Sequence, residues 1–327
     1  MFEAFQLGPF LFRTHILFLL IGVWLATELF LRIALSENMR TTIFVRKTMW
    51  FLGAFLIGGR LFGMILLYRI YAQDPLRILV IWDGIFSVVG GCAGICIALF
   101  IMTWDQRTVF LRWMDALLPS IVLLTAFDWV GRFFGSLSYG KPTDVFWGVA
   151  YDSIQVRYTV PVHPVQMYYA IWFFALTVLL LMLRKGNNGA LARSVRSGIQ
   201  SFSVPNGKPG LITLVGIVLG CLAVIFFEFM RGDFAVMVFA KFSDFLFLIL
   251  LFISLGIFSL YERKISHKYS IVNSAILGVG TVLYLVVRPM INIASVEWRF
   301  SQFLAVLVIL STIVYVVIHR WKYLRLA

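Results

Sequence analysis

Leu211–Phe229 reads LITLVGIVLGCLAVIFFEF, with Thr213 and Glu228 as its only hydroxyl-bearing or charged side chains. A helix of about 20 apolar residues crosses the hydrocarbon core of a bilayer, so this run is expected to span a membrane. The same pattern recurs on both sides of it. It is found at His15–Ile33, Trp50–Tyr71, Ile85–Met102, Leu117–Val130 and Val165–Leu183, then at Phe245–Leu260, Ile271–Val287 and Phe303–Ile318. The fourth run, Leu117–Val130, is short, which leaves room for a tilted or partly re-entrant segment. Composition agrees with this reading. Of 327 residues, 61% are hydrophobic and 13% charged, where soluble domains hold about 45–50% and about 25%. A soluble enzyme fold, a disordered chain and a disulfide scaffold are excluded together. Short alternating strands are lacking, which excludes a transmembrane barrel. The expected fold class is an all-α polytopic membrane protein.

The formal charge is +13, from 28 Lys and Arg against 15 Asp and Glu. The basic residues sit in short loops between apolar runs. They therefore point to topology and anionic lipid headgroups rather than to nucleic acid. One set of alternate loops holds the larger share: Arg32, Arg40, Arg46 and Lys47; Arg107 and Arg112; Arg184, Lys185, Arg193, Arg196 and Lys208; Arg263, Lys264 and Lys268; Arg320, Lys322 and Arg325. The positive-inside rule then predicts an N-terminus outside and a C-terminus in the cytoplasm. The first apolar run lacks a basic leader and a small-residue cleavage site, and is expected to stay as a membrane helix. Residues 132–164 lie outside on this map. Turn formers followed by loosely alternating β-branched and aromatic residues predict a small head with one or two short strands. Residues 185–210, rich in Gly, Asn, Ser and basic side chains, read as a cytoplasmic linker.

Ionisable residues at membrane depth are functional candidates, because an unpaired charge there is costly. Arg60 lies inside the second run. Asp128 and Arg132 are four residues apart on the fourth, so they share a helix face and can pair. Glu228 and Arg231 close the sixth, with Asp233 two residues further on. Arg60, Arg132 and Arg231 together suit an anionic lipid headgroup, since guanidinium binds phosphate through paired hydrogen bonds. Ion pairs that only join helices are the alternative. His163, before Pro164, and His15, at the start of the first run, are candidate general bases or interfacial anchors. Gly59/Gly63, Gly90/Gly94 and Gly216/Gly220 permit close helix packing. Cys92, Cys96 and Cys221 lie within apolar runs and read as packing residues. No metal site and no cofactor are expected.

These pieces, in this order, resemble the prolipoprotein diacylglyceryl transferase family. The resemblance rests on Leu20-Ile21-Gly22 with Trp24-Leu25-Ala26-Thr27; Leu56-Ile57-Gly58-Gly59-Arg60; and Asp74-Pro75-Leu76 with Trp82-Asp83-Gly84. It continues through Gly90-Gly91 with Gly94, Gly131-Arg132, His163-Pro164 with Gln166 and Tyr168, and Glu228-Phe229 with Arg231. It implies a seven-helix diacylglyceryl transferase-like core over residues 1–263 and a two-helix extension over 264–327. It also implies a multi-pass enzyme of the bacterial cytoplasmic membrane. Such an enzyme moves diacylglyceryl from phosphatidylglycerol to the lipobox cysteine of a preprolipoprotein.

The departures from the family pattern are specific. Val89 stands where the family has a histidine held to activate the thiol. Val224 replaces an arginine one turn before Glu228. Phe133–Ser138 is shortened and lacks the family's Asn and Glu, and Tyr169 stands where a Glu is usual. His15 falls where the family has a functional tyrosine. Arg132 and Arg231 are then expected to hold phosphate with Arg60 nearby, Glu228 to orient Arg231, and His163 or His15 to act as base. The alternative is a catalytically degenerate relative that binds phospholipid as a subunit of a larger membrane complex, with residues 264–327 facing other subunits. A transporter reading finds no inverted repeat to support it.

Overall fold

In a computed structural model the described residues are 4–7, 10–37, 39, 46–66, 86–104, 107–154, 156–185, 209–233, 237–241, 249–251, 267–290 and 295–323. The helices are α1 Thr14–Ser36, α2 Thr48–Leu66, α3 Val88–Met102, α4 Arg107–Phe134, α5 Val165–Lys185, α6 Leu211–Phe227, α7 His267–Val287 and α8 Phe300–Tyr323. Among the described residues there are also two short antiparallel ribbons and the 3-10 turns Glu228–Met230 and Arg288–Met290. Ala4–Leu7 (β1) pairs with Phe10–Arg13 (β2), and Met237–Lys241 (β3) with Ser295–Arg299 (β4).

This is an all-α polytopic membrane protein. Thr14–Ser36, Thr108–Phe134, Val165–Arg184 and Leu211–Met230 are long and apolar enough to cross a membrane. The 23 residues of α1 rise about 34 Å at 1.5 Å per residue, against a core of roughly 30 Å. Large apolar side chains such as Leu20, Trp24, Leu56, Ile57, Ile101, Val282 and Leu283 are exposed, as the lipid-facing surface of a bundle requires. The expected seventh span, Phe245–Leu260, falls mostly outside the described residues, which include helical 249–251.

The chain divides into two compact units. The first is Met1–Gly198, Asn206–Gly216 and Met230–Asp233; the second is Ile199–Pro205, Ile217–Phe229 and Phe234–Ala327. In the first unit α4 is the central element, packed by α1 and α5, while α2 and α3 pair with each other. Phe30, Ile33 and Ala34 of α1, Phe51 of α2, Leu99 of α3 and Trp113, Met114 and Leu117 of α4 form one buried cluster. The α2–α3 contact is glycine-made. A Cβ on Gly58 would meet the Gly94 Cα at 3.0 Å, as well as the Gly90 carbonyl.

The fourth span is not short. α4 runs for 28 residues, and Asp115, the charge that shortens its apolar pattern, is satisfied inside the protein. The Asp115 carboxylate accepts hydrogen bonds from Gly210 N (2.6 Å), Thr213 N (2.9 Å) and Thr213 Oγ1 (2.7 Å). It thereby caps the N-terminus of α6, whose first N–H groups have no partner within their own helix. Pro119 lies inside α4 and has no N–H to offer the carbonyl four residues back, that of Asp115. Arg184 of α5 fills the vacancy, donating to the Asp115 carbonyl oxygen at 2.8 Å. Arg184 also pairs with Glu37 at the end of α1.

The head between α4 and α5 differs from expectation. Among the described residues it holds isolated bridges, Pro142 to Val162 and Val149 to Val162, rather than strands. Its small core is Tyr139, Tyr151 and Val162. Residues 139–141 also pair with the chain after α6: Lys141 N donates to Met230 O (2.8 Å) and Gly232 N to Tyr139 O (2.9 Å).

In the second unit α6 and α8 meet through Gln302. Its side chain donates to the Ile225 carbonyl at 2.9 Å and accepts from Arg299 N at 3.0 Å. β3 and β4 join over five residue pairs, from Met237↔Arg299 to Lys241↔Ser295.

Candidate functional site

The end of α4 that leads into the head carries the polar centre of the first unit. Asp128 is 4% exposed and uses both carboxylate oxygens. Oδ2 accepts from Arg132 Nε at 2.8 Å, the pairing that their four-residue spacing predicts. Oδ1 lies 2.9 Å from His15 Nε2, on the first turn of α1. A carboxylate only accepts, so the ring's Nε2–H donates to it. Gly131 makes the approach of the two helices possible: a Cβ there would meet the His15 carbonyl oxygen and the Phe18 Cβ at 3.0 Å.

The two arginines converge. Arg132 Nη1 donates to Ser138 Oγ at 3.3 Å and Arg231 Nη2 donates to the same oxygen at 3.5 Å. Both guanidinium carbons also lie over the Trp129 ring, at 5.2 Å for Arg132 and 5.9 Å for Arg231. The negative face of the indole offsets part of the repulsion between the two cations. Trp129 is fixed in turn by Tyr169, stacked at 4.0 Å between centroids and 10° between planes. Tyr169 is thus a fully buried support beneath the indole that carries the arginines.

Ser138 is presented by a strained loop. Ser136 and Ser138 have φ of 55° and 56°, the left-handed region that non-glycine residues rarely adopt. Gln166, 0% exposed, holds this loop by donating to the Leu137 carbonyl at 2.7 Å, while its Oε1 accepts from Tyr151 Oη at 3.2 Å. Burial pushes the Tyr151 hydroxyl up to about 12, against the Gln166 hydrogen bond that lowers it.

The predicted residues separate into groups. His15, Arg132 and Arg231 come together with Asp128. Arg231 is held by Asp233, at 3.0 Å from its Nε and by a second bond from Nη2. Glu228, expected to orient Arg231, is 3% exposed and lies 3.5 Å from Arg299 Nη1. His163 sits in an aromatic setting in the head, its Nδ1 3.2 Å from Tyr168 Oη, which also accepts from Trp147 Nε1 at 2.6 Å. Arg60 is half-buried in α2, in the glycine-packed stretch facing α3. Val89 is 64% exposed. Sequence reading named Asp233 beside Arg231 but gave no role to Ser138, Trp129 or Arg299. Trp129 alone left a signal, as a large aromatic three residues before Arg132. Among the described residues no cluster of His, Cys, Asp and Glu could hold a metal ion.

Two guanidiniums thus converge on one hydroxyl, with a histidine–aspartate pair beside them. The family model for prolipoprotein diacylglyceryl transferase matches residues 3–261. The chain is 30% identical over 221 residues to a phosphatidylglycerol–prolipoprotein diacylglyceryl transferase of Parasynechococcus marenigrum, covering 66% of this chain and 76% of that protein. The enzyme of the same name from Tolumonas auensis is 32% identical over 181 residues, 54% and 69% of the two chains. That from Nitrosospira multiformis is 33% identical over 175 residues, 50% and 57%.

Proposed function

Since the chain belongs to the prolipoprotein diacylglyceryl transferase family, we propose that it transfers diacylglyceryl from phosphatidylglycerol to a cysteine thiol of a lipobox-bearing preprolipoprotein. The observation that carries this reading is the convergence of Arg132 and Arg231 on Ser138 beside the His15–Asp128 pair. Transferring diacylglyceryl, rather than phosphatidyl, means breaking the bond between the diacylglyceryl carbon and the phosphate oxygen. The thiol sulfur bonds to that carbon, and glycerol phosphate leaves with the electron pair. Negative charge builds on the departing phosphate, where two guanidiniums stabilise it more than they stabilise the bound lipid.

The thiol must first lose its proton, since a free cysteine has a pKa of about 8.5. His15 Nδ1 takes it, and Asp128, bonded to the opposite ring nitrogen, stabilises the imidazolium. In this role His15 replaces the histidine that is Val89 here. The protein works in the bacterial cytoplasmic membrane with its N-terminus and head outside, where lipobox cysteines emerge. The positive-inside distribution of Lys and Arg supports that orientation.

The test is transfer to a lipobox peptide by the purified protein in vesicles containing phosphatidylglycerol. Arg132→Ala is expected to cut transfer by about 10²–10³-fold, the cost of one lost anion-stabilising donor. If the wild-type protein transfers nothing while a family enzyme works in the same vesicles, the reading is overturned.

A further inference from the structure

We propose that Arg299, in the extension beyond the family-matched region, is a positioning residue for the phosphate site and acts through Glu228; this rests on the function proposed above. Arg231 is bracketed in the sequence by two segments, and both are fastened to residues 295–302. On its N-terminal side, Glu228 opens the 3-10 turn Glu228–Met230, which runs directly into Arg231. Glu228 pairs with Arg299, both nearly fully buried. The adjacent Phe229 packs edge-on to Trp298 at 5.7 Å, and Gln302 holds the Ile225 carbonyl. On the C-terminal side of Arg231, β3 is paired to β4 along its whole length.

A buried carboxylate at this depth requires a cation, because removing one partner leaves an uncompensated charge. Val224, one turn earlier on the same helix, supplies none. Arg299 supplies it from the far end of the chain. The head holds the residues on either side of Arg231, Met230 and Gly232, and Arg299 fixes Glu228, three residues before it. A displacement of about 1 Å in a binding group can cost up to about 10²-fold, so loosening this turn should be read first in lipid affinity.

The experiment compares wild-type, Arg299→Leu, Arg299→Lys and the double variant Val224→Arg/Arg299→Leu in the vesicle assay. The KM for phosphatidylglycerol and for peptide are measured separately. The expected result is a rise in lipid KM of about tenfold to 10²-fold for Arg299→Leu, with peptide KM unchanged. Arg299→Lys should rise less. Val224→Arg should restore the lipid KM by offering Glu228 a guanidinium at four-residue spacing. An unchanged lipid KM in Arg299→Leu, or an equal rise in both KM values, overturns the proposal. If Arg299→Leu does not fold, Arg299→Lys and the double variant decide by the same comparison. If the wild-type protein transfers nothing, the proposed activity falls, and phosphatidylglycerol retained through purification becomes the readout. Equal retention by wild-type and Arg299→Leu then overturns the role of Arg299 separately.

Discussion

Asp128 holds His15 with one oxygen and Arg132 with the other, so in the proposed reaction a single carboxylate would serve both the proton transfer and the anion site. Asp128→Asn keeps the size but removes the charge and one acceptor. It is expected to lower kcat/KM by about 10²–10⁴-fold, the usual range for a disabled general base; single-turnover transfer measures it. Gly131→Ala tests the same pair from the backbone side. The added methyl would crowd the His15 carbonyl and Phe18, and transfer should fall although no polar group is lost. The Asp128–Arg132 pair was legible because helix spacing alone sets it. That His15 meets Asp128 was not: it depends on how α1 crosses α4, and Gly131 permits that close approach. Ser138 was hidden for another reason, since a left-handed serine leaves no pattern in composition or periodicity.

At the scale of elements, periodicity located the described spans well and misjudged only the fourth. α4 begins earlier than its apolar pattern because Asp115 and the Pro119 gap are satisfied by α5 and α6. Sequence reading counts a charge as a boundary; structure counts it as a partner. Asp115→Ala would strip the cap from α6 and leave the Gly210 and Thr213 amides buried without an acceptor, costing about 1–3 kcal/mol. A lowered melting temperature in detergent, without a change in lipid KM, is the expected result. Tyr151, with its hydroxyl pushed up to about 12, contributes stability that is complete below the unfolded value of about 10. That contribution is lost as pH rises through about 12.

For the molecule as a whole, the charge distribution makes a prediction about orientation. A reporter that fluoresces only in the cytoplasm should light up when fused after Ala327 and stay dark when fused before Met1. The reverse pattern would relocate the head and the arginine pair to the wrong side for emerging lipobox cysteines. The clasp between Asp115 and the start of α6 has a consequence of its own. It ties α4, before the 185–210 stretch, to α6, after it, by bonds that do not depend on the peptide chain between them. A gene split within that stretch, with both halves expressed in the same cell, should therefore yield two polypeptides that find each other and purify as one. Asp115→Ala should part them, which turns a helix cap into the lock of a two-piece protein.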